Sequence, residues 1–228
     1  MEHTLRLTGI LAMLAAVLYS IGDALLLAGK ANLEDFPRLK PHEKLLSGAE
    51  RMVSLSFPRM AWGALLGVFA TPLFLAGFWQ LYQGLAGGSA ALPPILIWVA
   101  SSVVGAFVHG TFFFFGEYVQ TLNAVDVEVQ PVILRLIERH KKILIVSYLP
   151  VLLFAVIASI WFSVLVASGD TSFPIWMAAV NPVTLFVAWL LGKRLLPRAA
   201  RESVEGAGFN IAYFFFFLIT TLLLWNGL

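Results

Sequence analysis

Six apolar stretches, at 5–28, 58–84, 92–119, 142–168, 173–196 and 207–227, dominate this chain and restrict what it can become. Each approaches or exceeds the roughly 20 residues that a helix needs to cross about 30 Å of hydrocarbon. Inside hydrocarbon every backbone N–H and C=O must be satisfied by the protein itself, which leaves only helices and closed barrels. Barrel strands alternate in and out over much shorter runs. The expectation is an all-α membrane protein, a bundle of six transmembrane helices forming a single domain over 1–228. Composition agrees. Hydrophobic residues make up 60% of the chain, charged residues 12%, and the mean hydropathy is +0.87, whereas a soluble domain is nearer ~25% charged. With no cysteine, disulfides, thiolate nucleophiles and the commonest structural zinc sites are excluded. The first stretch is long and no small-x-small pattern follows it. It is expected to remain a spanning helix, not to be removed as a signal peptide.

The placement of charge orients the bundle. Of the 15 basic residues, all but Arg6 fall in or beside alternate connections. The first holds Lys30, Arg38, Lys40, Lys44, Arg51 and Arg59. The third holds Arg135, Arg139, Lys141 and Lys142, and the fifth Lys193, Arg194, Arg198 and Arg201. The positive-inside rule assigns these connections to the cytoplasm and both termini to the extracytoplasmic side. Tryptophans fit two interfacial belts, with Trp79, Trp98, Trp161, Trp176 and Trp225 toward outer helix ends and Trp62 and Trp189 toward inner ones. Since orientation accounts for the basic loops, nucleic acid is not an expected partner.

Two cytoplasmic connections read as short interfacial helices. Residues 43–56 space Leu45, Ala49, Met52 and Val53 on roughly one side, and 131–142 open on a proline suited to a helix start. Gly63 and Gly67 form a GxxxG pair that lets helices approach closely. Packing within the chain is the favoured reading, and a homodimer through Gly63 and Gly67 the alternative.

Residues 105–118, GAFVHGTFFFFGEY, put a histidine and a glutamate inside an apolar stretch. Steps of four place His109, Phe113 and Glu117 along one helix face. Ionisable groups in hydrocarbon are costly and mark functional sites. With the orientation above, Asp23, Arg59, His109, Glu117, Tyr148, Asn210 and Tyr213 all fall in the cytoplasmic half, with Asn181 nearer the midplane. The prediction is a polar pocket in that half, opening to the cytoplasm or the inner leaflet. Asp23, His109 and Glu117 are the candidate catalytic groups. Arg59, Phe113, Tyr148, Asn181, Asn210 and Tyr213 are the candidate substrate-binding groups. Each has a structural alternative: an interhelical hydrogen bond for Asp23 and His109, a solvated carboxylate for Glu117, a snorkelling anchor for Arg59, a helix kink for Asn181-Pro182 and packing for Asn210 and Tyr213. No HxxxH or HExxH occurs. A metal would need His140 to fold back beside His109, Asp23 and Glu117, so neither metal nor cofactor is expected.

The segments IGDALL (21–26), GFWQLYQGL (77–85), NPVTL (181–185) and GAGFNIAYFFFF (206–217) resemble an uncharacterised family of bacterial multi-pass membrane proteins. The resemblance implies a bacterial inner-membrane location and adds weight to Asp23, Asn181 and Asn210. It carries no activity. From the residues, the leading expectation is an intramembrane enzyme doing acid/base chemistry on a lipid or isoprenoid, a cyclase or isomerase. Asp23 would be the proton donor, His109 or Glu117 the base, and aromatic faces would stabilise developing positive charge. A ligand-binding or proton-coupled transport protein, or a structural accessory subunit, are the alternatives. The expected partner is a membrane lipid or another hydrophobic small molecule.

Overall fold

In a computed structural model, which describes residues 2–29, 31–204 and 206–226, the chain is helical, with no strand among those residues. Lys30 and Gly227, counted above with the first connection and the sixth stretch, lie outside the described residues. The α-helices are α1 (Glu2–Leu27), α2 (Glu43–Leu46), α3 (Phe57–Gly84), α4 (Leu92–Ala124), α5 (Gln130–Ser168), α6 (Pro182–Gly192), α7 (Arg198–Ser203) and α8 (Gly208–Asn226). Among the described residues, five segments are long and apolar enough to cross a membrane: His3–Leu27, Phe57–Gly84, Ser89–Ala124, Gln130–Ser168 and Gly208–Trp225. That is the mark of a membrane protein.

The apolar stretch 173–196 is not among them, which corrects the expected count of six continuous helices. A 3-10 turn at Ile175–Ala179 ends at Val180, and the 11-residue α6 starts afresh at Pro182. The cause is local. Pro182 has no N–H to continue a helix and biases the residue before it to extended backbone, and Asn181 is extended at φ −142°, ψ 168°. The Asn181 Oδ1 then accepts from the backbone N–H of Val183 and Thr184, while the Asn181 N–H donates to Thr184 Oγ1. This reciprocal cap opens a new helix. The expected kink at Asn181-Pro182 is a complete break.

The broken stretch nevertheless travels the length of the bundle. A Cβ on Gly84, at the end of α3, would lie 2.4 Å from Phe173, and one on Gly208, at the start of α8, 2.7 Å from Trp189. Near its start, α1 carries Arg6, whose guanidinium lies 4.1 Å over the Trp225 ring near the end of α8. Both chain ends therefore share the Gly84 end of the bundle, and the basic connections gather at the other.

At that basic end, cations close helix termini. Arg38 donates to the carbonyls of Asn123, Ala124 and Val125, which end α4. Arg51 donates to Leu27 and Arg59 to Leu25, the last carbonyls of α1. Carbonyls at a helix end have no intrahelical partner, and a cation there also meets the negative end of the dipole. Residues 43–56 do not form one helix. Ser47 and Gly48 take left-handed backbone (φ 53° and 98°) between α2 and a 3-10 turn at Ala49–Met52. Residues 131–142 are not a separate helix either. No breaker follows Pro131 until Pro150, and α5 runs unbroken for 39 residues, about 58 Å. Its first turns, carrying Arg135, Arg139, Lys141 and Lys142, extend beyond a ~30 Å crossing.

Two apolar cores result. One, toward the Gly84 end, is aromatic: Phe78 stacks on Trp98 at 5.9 Å, and Phe162, Phe216 and Phe217 complete it. The other lies under the first connection and includes Leu39, Leu46, Met52, Met60 and Ile137. Gly63 and Gly67 are buried inside the chain. A Cβ on Gly63 would lie 2.7 Å from Leu26 of α1, and one on Gly67 2.6 Å from His109 of α4. The glycine pair serves packing within the chain, and its face is occupied.

Candidate functional site

Where the two cores meet, a cavity of about 370 Å³ opens, with Tyr19 and Phe74 of the first core and Val108 of the second in its wall. That size falls within the ~300–1,000 Å³ of small-molecule sites. Its polar floor is built from three helices. Asp23 comes from the last turns of α1, His109 from the middle of α4 and Asn210 from the first turn of α8. Asp23 and His109 are both buried.

The geometry of this trio is informative. Asn210 Nδ2 donates to Asp23 Oδ2 at 2.7 Å, fixing the carboxyl. His109 Nδ1 lies 3.1 Å from the Ala64 carbonyl. A carbonyl can only accept, so Nδ1 carries a proton. His109 Nε2 then lies 3.3 Å from Asp23 Oδ1. It is off the hydrogen-bond line, and Nε2 has no hydrogen-bond partner among the described residues. With Nδ1 committed to Ala64, Nε2 is the ring nitrogen turned toward the Asp23 carboxyl.

Glycines seat the imidazole. A Cβ on Gly22 of α1 would lie 3.0 Å from His109 Cε1, and one on Gly67 of α3 2.6 Å from Cγ. The ring is clamped between two bare backbones, and any larger residue at Gly67 would displace it. Gly206 plays a similar part beside the carboxyl, where a Cβ would lie 3.3 Å from Asp23 Cβ. Tyr19, one turn before Asp23, meets the imidazole edge-on at 5.1 Å. Its hydroxyl lies 2.6 Å from Thr71 Oγ1, and Thr71 donates to the Gly67 carbonyl. With the threonine proton committed, Tyr19 is the donor of that pair.

Of the residues singled out from sequence, Asp23, His109, Tyr148, Asn210 and Tyr213 line the cavity. The other four lie elsewhere. Glu117, half-buried, is two turns below His109 and outside the lining. Phe113 packs edge-on against Phe57 at 5.5 Å, and its neighbour Phe112 faces the cavity instead. Arg59 caps α1, and Asn181 caps α6 while its Nδ2 donates to Ser163 Oγ. His140 packs between Phe115 and Tyr118, each ring at 5.5 Å, and not beside His109. No group of three or more potential metal ligands occurs among the described residues. Sequence reasoning did not single out Tyr19, Gly22, Lys193 or Gly206 as site residues. Tyr19 and Asp23 are four apart, and that spacing is a usable signal. Gly22 and Gly206 carry no signal until the helices are assembled.

The cavity is open toward the side of the bundle. Its most exposed large lining residues are Tyr148 of α5, 47% exposed, and Leu190 of α6, 38% exposed. Between them α6 packs chiefly on α8 and only lightly on α5. Beside Tyr148, α5 presents Ile145, Val146 and Leu149 outward, the surface a lipid-facing helix shows.

The chain belongs to a family of unknown function (DUF6796), whose sequence pattern matches residues 1–226. No curated protein and no solved structure matches it.

Proposed function

We propose that this protein is an intramembrane enzyme that moves protons on a lipid or isoprenoid substrate. The observation that supports this reading is the Asp23–His109 pair, 3.3 Å apart and set against an apolar, aromatic-walled cavity. The cycle starts with carboxylic acid and neutral imidazole. Asp23 gives its proton to one carbon of an alkene, forming a C–H bond and leaving a carbocation on the other carbon. Tyrosine and phenylalanine faces stabilise that charge through their quadrupoles. A C–H proton from a neighbouring carbon then passes to His109 Nε2, giving the shifted alkene. Transfer from imidazolium to the Asp23 carboxylate restores the start. Atoms and charge balance without a co-reactant. Since Glu117 lies outside the lining, His109 takes the base role. Asn210 holds the carboxyl in place.

In this reading the protein sits in a bacterial plasma membrane and crosses it six times, the fifth crossing being the broken one. The basic connections face the cytoplasm, and the cavity opens to the inner leaflet. The test compares lipid extracts from cells expressing wild type or Asp23→Asn by liquid chromatography and mass spectrometry. The expected result is a lipophile of unchanged mass and shifted retention, present with wild type and absent with the variant. Identical extracts, with no lipophilic mass on either purified protein, would overturn the reading and favour a structural accessory subunit.

The break between the 3-10 turn and α6 favours a second reading. Broken helices at membrane depth accompany substrate and ion sites in transporters. A proton-coupled binding or transport protein would retain the same lipophile on wild type, chemically unaltered, and lose it in Asp23→Asn.

A further inference from the structure

We infer that the cavity takes an amphiphile with a single negative charge on its headgroup, and that Lys193 holds that charge at the mouth. This rests on the proposal of a lipophilic ligand and narrows its class. Lys193 directly follows α6 and lines the same cavity as Asp23 and His109. It is half-buried, and among the described residues its side chain makes no hydrogen bond or ion pair. Arg38, Arg51, Arg59 and Lys141 at this end donate to backbone carbonyls, whereas Lys193 is the basic residue that lines the cavity. An ammonium that the protein leaves unpaired at a cavity wall is available to an anion held in that cavity.

The polarity of the lining runs in one direction. Lys193 stands near exposed Leu190 at the opening, the buried Asp23–His109 pair lies at the floor, and the lining is mainly apolar. An amphiphile entering between α5 and α6 would leave its headgroup at Lys193 and lay its chain along Trp189, Phe186 and Tyr213. One ammonium balances one charge, as on a carboxylate or a phosphodiester. A lysine that merely snorkels to bulk lipid headgroups gives no preference for the headgroup of the molecule inside the cavity.

The test uses delipidated full-length protein in a neutral detergent, titrated with three probes and read by native mass spectrometry. Oleyl alcohol is the neutral probe, oleate the carboxylate and oleoyl lysophosphatidylglycerol the phosphodiester. Wild type is expected to bind one or both anionic probes about tenfold more tightly than the alcohol. Which one prevails identifies the headgroup. Lys193→Gln is expected to remove that preference and leave alcohol binding unchanged, and Lys193→Arg to keep it. Equal affinity for all three probes in wild type, or a preference that survives Lys193→Gln, overturns the inference while leaving the lipophile reading intact. Failure of all three to bind wild type counts against both.

Discussion

At the Gly84 end of the bundle, α1, α3 and α8 bury Gln80 against Thr221. At the basic end, α1 and α4 bury Asp23 and His109, which the half-buried Asn210 of α8 joins. Both are polar clusters within apolar surroundings, and they differ in how they are completed. Gln80 Nε2 donates to Thr221 Oγ1 at 3.1 Å, and a Cβ on Gly9 would lie 2.0 Å from that hydroxyl, so the pair is sealed. Gln80 and Thr221 are both fully buried or nearly so. The Asp23 cluster borders a 370 Å³ cavity and leaves Nε2 without a hydrogen bond. Buried polar groups that satisfy each other tie helices together, whereas one left open beside a cavity is arranged to meet something else.

That contrast can be broken by experiment. Asp23→Asn keeps the shape and removes the acid. Product formation is expected to fall by about 10²–10⁴-fold, with thermal unfolding in detergent nearly unchanged. A similar loss of activity from Gln80→Leu would erase the distinction between the ends. In the packed aromatic core, Trp98→Ala should destabilise by about 3–5 kcal/mol, read by denaturation in micelles. Phe112→Ala, beside existing empty space, should cost much less, because the cavity term depends on how well the site is packed to begin with. Gln80→Leu itself should cost about 1–3 kcal/mol, for the Thr221 hydroxyl that it strips of its partner, and leave product formation intact. The smallest expected effect is Gly206→Ala. The Leu27 side-chain tip that its Cβ meets at 2.6 Å can rotate away, so stability should change by about 0.5 kcal/mol or less. Weaker probe binding would show that the cavity beside Asp23 had narrowed.

Much of this contrast was legible in the sequence, and the illegible part has physical causes. Asp23 and His109 stood out because charge is rare in hydrocarbon, and Asn210 because it falls at the same depth. Phe113 was favoured over Phe112 because four residues is the usual helical step. Yet 109 and 112 are also neighbours on a helix, and only the position of α5 decides which side faces the cavity. The GxxxG pair at Gly63 and Gly67 announced close approach but not that Gly67 would receive an imidazole. The fifth stretch reads as apolar and long enough to span, because hydropathy does not register that Pro182 lacks a donor. Likewise the charges of 131–142 suggested a connection, while the backbone, with no breaker, continues as helix into α5.

The arginines that close helix ends carry a consequence for anyone manipulating orientation by charge. Arg38, Arg51 and Arg59 contribute to the positive count of the first connection, and the same guanidinium groups end α1 and α4. Exchanging them for acidic residues would invert the topogenic signal and fray two helices at once, and a lost or misfolded protein would then say nothing about either. Glutamine separates the two duties, since its amide still offers N–H to a terminal carbonyl but adds nothing to the charge that the insertion machinery reads.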